Sequence, residues 1–229
     1  MIALIYDSET ANMVNCPLPY DMGYLIVDTD SWEVLATRSY VIAEIFLDKE
    51  LMSSAYYSEK VPRYEADLKA GTREMRRLLT VRKQVKEDME NFHVDVVCAY
   101  NMGFDKRASN NDCRYLTGSM VRWFFPYGTE FLDIWHMACS SFLRSAWFIK
   151  WAIKNECVSE KGNIKTSAEV AYRYIKKDVT FTESHTGLED CEIEMEIMKK
   201  VMTGRMKYET NIYSACWRIP QKKRAEMGV

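Results

Sequence analysis

The sequence predicts an α/β domain with a mixed central sheet of about five strands flanked by helices. Strand-like apolar runs come first in the chain, helical and strand-like segments alternate after them, and no repeat or linker divides the sequence. Strands followed by alternating helices and strands are typical of a layered α/β domain. At 229 residues, a single domain with a core of ordinary size is expected.

The composition excludes several other classes of protein. Hydrophobic residues make up 48% and aromatic residues 13% of the chain, with only 9 Gly and 5 Pro, which excludes a disordered or fibrous protein. No apolar run approaches the roughly 18 residues of a membrane helix. The apolar stretch at residues 1–6 ends at Asp7. It is too short for a signal peptide and has no basic segment before it. We therefore expect a soluble, cytoplasmic protein without a membrane partner.

Cysteine usage and net charge narrow the classes further. The seven cysteines are scattered and form no Cys-x-x-Cys pair, which argues against a disulfide framework and a structural zinc site. The formal net charge of −2 excludes nucleic-acid binding through overall charge. It leaves room for a local basic groove.

The first half of the chain predicts three strands and then a helix. The strands are Ile2–Asp7, Met22–Asp28 and Trp32–Ile42, and a turn at residues 28–31 makes the last two a hairpin. Residues 43–61 predict an irregular or helical connection. Apolar residues at helical spacing then predict a helix that begins at an N-cap, Thr72, and ends near Asn91.

The second half predicts alternating helices and strands. The predicted elements are a buried strand Val94–Ala99, a helix over 105–116, a strand near Glu130–Ile134, a long helix Trp135–Asn155, and two helices opened by capping boxes at Thr166-x-x-Glu169 and Thr186-x-x-Glu189. We expect residues 1–205 to form the domain and residues 206–229 a C-terminal extension packed in part on it. The basic tail Lys222–Arg224 is expected to be disordered.

Two carboxylates, Asp7 and Glu9, follow the first apolar strand. Residues two apart on a strand project to the same face, so these carboxylates converge. Such a pair is costly unless a cation lies between its members, and hard divalent ions prefer oxygen ligands. A solvated strand end is the alternative interpretation of this pair.

Two later segments add further polar side chains. Asp105 follows the strand Val94–Ala99, and sites in α/β sheets form at the carboxyl ends of strands, although a helix cap is the alternative role. Thr186 caps the last long helix, which places Asp190 on its first turn, where the helix dipole favours an acid. His185 then lies outside the helix, close to a metal shell, where it can take a proton from water.

The three segments occur in a specific order: Tyr6–Thr10, then Cys98–Asp105, then Glu183–Asp190. In the order of these segments and in their residues, the sequence resembles the DEDDh branch of the DnaQ-like 3′–5′ exonuclease superfamily, which has a ribonuclease-H-like fold. The resemblance spans about Ile2 to Val201. Gly187 and Cys191 stand where the family usually has small residues, often Ala, and neither departure changes a functional side chain.

The resemblance implies an enzyme that removes nucleotides from 3′ ends as nucleoside 5′-monophosphates, with two divalent cations, Mg²⁺ or Mn²⁺. Asp7, Glu9 and Asp190 would bind the tighter ion, and Asp7 and Asp105 the second one. His185 would be the general base that deprotonates the attacking water. By the same resemblance, the residues that flank the motifs would line the pocket of the terminal nucleotide: Thr10, Ala11 and Phe104.

The expected partners are 3′ ends of single-stranded nucleic acid, DNA first, with a polymerase or replication protein in trans as a further partner implied by the family. An exoribonuclease that trims RNA ends stays the alternative, because nothing in the motifs fixes contacts to the 2′-OH. A catalytically inactive interaction module is the remote alternative, since all five motif residues are present. The basic residues of the predicted helix indicate a solvated face or a nucleic-acid backbone contact: Arg73, Arg76, Arg77, Arg82 and Lys83.

Overall fold

The computed structural model describes residues 1–12 and 16–229, which form six strands and ten α-helices. The strands are β1 (Ile2–Ala11), β2 (Leu18–Asp28), β3 (Glu33–Ile42), β4 (Glu74–Arg76), β5 (Val96–Ala99) and β6 (Phe131–Asp133). The helices are α1 (Ala43–Phe46), α2 (Lys49–Ser53), α3 (Val61–Ala70), α4 (Leu78–Asn91), α5 (Met102–Thr117), α6 (Ile134–Ser140), α7 (Ala146–Lys154), α8 (Ala168–Lys176), α9 (Gly187–Met202) and α10 (Arg218–Met227). Short 3₁₀ helices occur at Ser58–Lys60 and Phe142–Arg144.

The strands form one mixed sheet in the order β4-β3-β2-β1-β5-β6. β1 and β3 both run antiparallel to β2, whereas the short edge strand β4 runs parallel to β3. The antiparallel register of β1 and β2 pairs Ile2 with Asp28 and shifts at a bulge between Glu9 and Thr10. The predicted α/β class with a mixed sheet and flanking helices is confirmed, and β4 is the sixth strand that the sequence pattern did not indicate.

The chain divides into two compact units. The first comprises Met1–Val97, Phe104–Phe131 and Ser184–Cys191, and the second comprises Cys98–Gly103, Leu132–Glu183 and Glu192–Val229. In the second unit, α10 packs on α6, α7 and the 3₁₀ helix at residues 142–144. Lys222–Arg224 therefore lie within a packed helix, which corrects the expectation of a disordered tail. The predicted division of the chain after residue 205 stays a prediction.

The core of the first unit follows from the apolar runs of β1 and β2. Residues 3–6 of β1 are fully buried, and β2 is buried along nearly its whole length. A strand buried on both faces needs a continuous apolar run rather than an alternating one, as these runs show. Among the described residues, no helix has both the length and the apolar character required to cross a bilayer.

The predicted helix from Thr72 was wrong at its start. β4 occupies residues 74–76 and pairs Tyr40 with Glu74, and α4 begins at Leu78. The apolar spacing that predicts the helix is real, but it extends one turn too far because Met75 belongs to the strand. Helical periodicity alone does not separate a three-residue edge strand from the first turn of a helix.

The predicted long helix Trp135–Asn155 is divided into α6, a 3₁₀ turn and α7. Ser141 leaves the helical conformation, and its hydroxyl donates to the carbonyl of Met137, a bond that competes with the regular helix. Ser145 then caps α7 by accepting from the N–H of Phe148. The capping box predicted at Thr166 is also displaced, because Ser167 caps α8.

Candidate active site

β1 carries both Asp7 and Glu9 in its interior. The strand continues to Ala11 instead of ending at Asp7, and it pairs Asp7 with Gly23 and Glu9 with Asp21 of β2. Both carboxylates are half-buried, and their spacing of two residues places them on the same face of the sheet. The predicted convergence of the two carboxylates therefore depends on the alternation of side chains within the strand, and not on the position of its end.

Two glycines bring the first turn of α9 against this part of the sheet. A Cβ atom on Gly23 would lie 2.2 Å from the backbone nitrogen of Leu188. One on Gly187 would lie 2.8 Å from the backbone nitrogen of Gly23 and 3.0 Å from the carbonyl oxygen of Asp7. The buried Cys191 thiol adds a contact to the Gly23 carbonyl oxygen at 3.3 Å. Gly187, where the family usually has a small residue, is thus required by backbone contact.

The close contact between α9 and the sheet brings Glu9, His185 and Asp190 into one cluster. One ligand atom from each residue lies within 4.8 Å of the others. Ligands on opposite sides of a Mg²⁺ ion are about 4.2 Å apart, so the spacing suits a divalent cation. Asp190 is 5% exposed, and its burial beside a second carboxylate costs free energy that a cation would offset. The carboxylates of Glu9 and Asp190 therefore fit a metal ion, and the imidazole of His185 lies beside them.

His185 is held by residues outside the three motifs. Its φ is 51°, a left-handed conformation that non-glycine residues rarely adopt. The imidazole stacks on the ring of Tyr57, with 4.2 Å between ring centroids and 12° between planes. Lys60 donates to the carbonyl oxygen of Ser184 and lies 5.0 Å from the centre of the Tyr57 ring. Tyr57 and Lys60 therefore determine where His185 lies.

Asp105 contacts β1 on the face of the sheet opposite to Asp7 and Glu9. It lies in the first turn of α5, is 3% exposed, and accepts a 2.7 Å hydrogen bond from the Ser8 hydroxyl. Ser8 projects from the face opposite to Asp7 and Glu9, since neighbouring residues of a strand alternate. Asp7 and Asp105 are not members of the three-residue cluster. Both raise the pKa of the Tyr6 phenol, although its burial is the largest cause.

The three residues expected to contact a terminal nucleotide differ in exposure. Thr10 and Ala11 follow Glu9 in β1 and are buried. Phe104 precedes Asp105 and is half-buried, with the guanidinium of Arg107 5.6 Å from the centre of its ring. All three therefore flank the carboxylates, and Phe104 offers the most accessible side chain.

A buried ion network supports the first turn of α9. Arg73 donates to Asp21 at 3.2 Å and to Glu189 at 2.5 Å, and it is 4% exposed. Asp21 also accepts from the backbone N–H of Gly187 at 2.8 Å. Glu189 accepts from the hydroxyl of Thr186 at 2.7 Å. Arg73 is thus an internal structural residue, which corrects its predicted place on a solvated or nucleic-acid-binding helix face.

The pKa values of the two acids in this network, Asp21 and Glu189, are shifted in opposite directions. Burial raises the pKa of Asp21, and the adjacent Arg73 opposes that rise without cancelling it. Burial also acts to raise the pKa of Glu189, but the Thr186 hydroxyl and the Arg73 charge outweigh it, so the pKa of Glu189 is lowered. Glu189 therefore stays ionised, and its bonds to Thr186 and Arg73 fix the segment that carries His185 and Asp190.

Sequence reasoning missed the supporting residues for a physical reason. Tyr57 and Lys60 lie in the connection that the pattern left undefined, and Asp21 lies in an otherwise apolar strand. Their partners are far away along the chain, so no local spacing links them to the motifs. Asp21 also lies just before the predicted strand Met22–Asp28, so its place in the sequence did not mark it as a buried charge that requires a partner.

The fold is similar to that of DEDDh-type 3′ exonuclease domains, which is ribonuclease-H-like, and the predicted resemblance is confirmed at the level of the fold. No family model matches the chain, and no curated protein matches its sequence. Solved structures of nucleases do match, among them the following three. The nuclease domain of 3′hExo, a DEDDh family member bound to rAMP, has 11% identity and a TM-score of 0.53, over 92% of this chain and 96% of that one.

The second structure is of a 3′-exonuclease in 3′-end specific recognition of the histone mRNA stem-loop. It has 11% identity and a TM-score of 0.56, over 92% of this chain and 85% of that one. The third is E. coli Exonuclease I in complex with a dT13 oligonucleotide. It has 14% identity and a TM-score of 0.53, over 88% of this chain and 41% of that one. At these identities the likeness is one of fold.

Proposed function

We propose that this chain is a metal-dependent 3′–5′ exonuclease, which hydrolyses phosphodiester bonds at single-stranded 3′ ends and releases nucleoside 5′-monophosphates. The observation that carries the proposal is the cluster of Glu9, His185 and Asp190, whose ligand atoms lie within 4.8 Å of one another. Further support comes from the setting of this cluster in a fold that is shared with DEDDh nuclease domains.

In this proposal four carboxylates hold two divalent cations, Mg²⁺ or Mn²⁺. Asp7, Glu9 and Asp190 would hold one ion, and the family resemblance assigns Asp7 and Asp105 to the other. The Ser8 hydroxyl would orient Asp105 through its 2.7 Å hydrogen bond. When bound, the cations supply the positive charge that admits a phosphodiester to an acidic site and stabilises the departing 3′ oxygen.

His185 acts as the general base and accepts a proton from the attacking water. Its ring nitrogen lies within 4.8 Å of carboxylate oxygens of Glu9 and Asp190, which places the base beside the proposed metal ligands. Tyr57 keeps the imidazole in place by stacking on it. Thr10, Ala11 and Phe104 contact the terminal nucleotide.

The substrate in this proposal is single-stranded DNA, with RNA as the alternative. The matched structures include one with rAMP and one with dT13, so they favour neither sugar. A cytoplasmic role in DNA replication or repair, with a polymerase or replication protein as partner, belongs to the same proposal and rests on the family resemblance.

Oligonucleotides labelled at the 5′ end test the reaction directly. We expect matched single-stranded DNA and RNA to shorten as a ladder with Mg²⁺ or Mn²⁺, and to stay intact in chelator, because the acidic site needs hard cations. Faster loss of the RNA would assign an exoribonuclease. Cleavage of a covalently closed circle, or full activity after exhaustive chelation, would contradict the proposal, and inactivity under all conditions would favour the interaction module.

Two variants separate the base from the metal ligands. His185→Ala should lose about 10²–10⁴-fold in rate, keep its metal affinity, and recover activity as hydroxide increases with pH. Asp7→Ala should lose both turnover and metal binding, measured by calorimetry. His93→Ala is a matched control, because His93 is exposed and has a similar left-handed φ of 53°. A wild-type rate in His185→Ala would show that another group is the base.

A further inference from the structure

A cavity of about 310 Å³ lies between α5 and the irregular segment at residues 118–130. Four of its nine lining residues are aromatic, and of these Phe125 is buried whereas Trp123 and Tyr127 are exposed. Phe125 packs edge-on against Tyr6 of β1, with ring centroids 5.5 Å apart. The cavity therefore has a rigid floor, and its size is within the range of ligand pockets.

Cationic side chains surround the aromatic rings. The Lys106 ammonium is 3.9 Å from the centre of the Phe131 ring, and the Arg114 guanidinium is 5.4 Å from that of Trp123. Arg82 donates to the carbonyl oxygen of Trp123 at 2.7 Å. Across residues 1–12 and 16–229, no carboxylate pairs with Lys106 or Arg114, and the Nε of Arg114 is buried without a hydrogen-bond partner. Positive charge is thus available here for a polyanion.

The cavity and Asp105 of the candidate active site share the helix α5. Lys106 follows Asp105, and Lys106 and Asn110 share a face of α5, since residues four apart are neighbours on a helix. Asn110 accepts from the backbone N–H of Phe124 at 2.9 Å, which fixes the aromatic segment to the helix. Since the proposed function places the 3′ end at Asp105, the cavity lined by Lys106 and Asn110 of the same helix is the candidate for the adjoining nucleotide.

We propose that the cavity is a second nucleotide-binding subsite, in which an unpaired base of the substrate strand stacks on Trp123 and Tyr127 while Lys106 and Arg114 contact the phosphates. Aromatic faces and cations together match an unpaired strand, because every base has a face that stacks and every linkage carries a charge. The base lies 5′ of the terminal nucleotide. This inference rests on the proposed function, since that function places the 3′ end at Asp105.

The test measures binding where hydrolysis is slow. Fluorescence anisotropy of a 5′-labelled dT12 strand, with Mg²⁺ and at low salt, compares His185→Ala with the same protein that carries Trp123→Ala, Tyr127→Ala or Lys106→Gln as a second substitution. His185→Ala is used because it should keep its metal affinity and hydrolyse the strand slowly. We expect binding about 5- to 100-fold weaker in each aromatic variant, the range for loss of one stacked base. Lys106→Gln should reduce the dependence of binding on salt. Trp147→Ala is the control, because Trp147 is 80% exposed and is not among the residues that line the cavity.

Hydrolysis of the same strand with Mg²⁺, by the proteins that retain His185, separates this inference from the proposed function. Wild-type hydrolysis with unchanged dT12 affinity in both aromatic variants would overturn the subsite and leave the exonuclease proposal standing. Binding that depends on Trp123 without any hydrolysis would support the subsite and contradict the exonuclease. A change in oligomeric state in Trp123→Ala, with unaltered dT12 affinity, would assign the cavity to a second copy of the chain and overturn the subsite. Tyr127 is fully exposed, so its variant tests the subsite even if Trp123→Ala misfolds.

Discussion

At the residue scale, His185 is placed by Tyr57, whose ring stacks on the imidazole at 4.2 Å. Tyr57→Leu removes this contact, and aromatic pairs are worth about 0.5–1.5 kcal/mol. We therefore expect a loss of about 2- to 10-fold in kcat with unchanged metal affinity. Tyr57→Phe keeps the ring and should retain the wild-type rate. Equal losses in both variants would show that the hydroxyl of Tyr57, rather than the stacking of its ring, is what matters.

The carboxylates and the residues around them differ in how far sequence could predict them. Asp7, Glu9 and Asp190 lie in short local patterns, and strand alternation or a helix cap fixes where each side chain projects. Tyr57 and Asp21 act through partners that are distant in sequence, which no local spacing reveals. Arg73 shows the same limit, because arginine is a residue type expected at the surface whereas the Arg73 side chain is buried.

At the scale of elements, the contact of α9 with β1 and β2 depends on Gly23 and Gly187. Gly187→Ala would force a Cβ to within 2.8 Å of backbone, and Gly23→Ala to within 2.2 Å. We expect each substitution to destabilise the fold by about 1–3 kcal/mol, with the larger effect for Gly23→Ala. Each should also lower activity, because it moves Asp190 away from Glu9. Thermal unfolding and hydrolysis rates measure both effects.

Gly103→Ala is the control for these substitutions. Gly103 lies in α5, where its Cβ would meet the Ile212 side chain at an ordinary 3.5 Å, and Ala is the better helix former. Its stability should be unchanged or higher. Gly187→Ala with both wild-type stability and wild-type rate would show that α9 moves freely against the sheet, contrary to the close backbone contact.

The elements themselves were predictable where apolar runs are long. β1, β2, β3 and α9 follow from their hydrophobic patterns, with ends that shift by a few residues. β4 was missed because three residues carry too little periodicity. The division of Trp135–Asn155 was missed because serine hydroxyls that bond to backbone interrupt an apolar pattern that continues on both sides.

At the scale of the whole molecule, stability should depend on buried Asp133, which is fully buried in the second unit. Burial raises the pKa of Asp133 to about 6, although backbone N–H groups of His136 and Asn101 donate to it and oppose the rise. The ordinary value is about 3.9, so the folded state binds the proton more tightly than the unfolded state. The free energy of unfolding should therefore fall as pH rises from about 4 to 6, and stay lower above that.

Asp133→Asn tests this dependence, because an amide oxygen can accept the same two N–H bonds and carries no charge. The variant should lose the decline between pH 4 and 6 and be more stable than the wild type at pH 7 by about 1–3 kcal/mol. Asp178→Asn provides the opposite sign in the same unit. Hydrogen bonds from the Thr180 hydroxyl and N–H lower the pKa of Asp178, so its contribution is present at neutral pH and disappears as pH falls below the ordinary range. Denaturant unfolding of the three proteins across about pH 2–8 measures both slopes. If Asp133→Asn kept the wild-type slope, the buried carboxylate would not be the group that makes stability depend on pH.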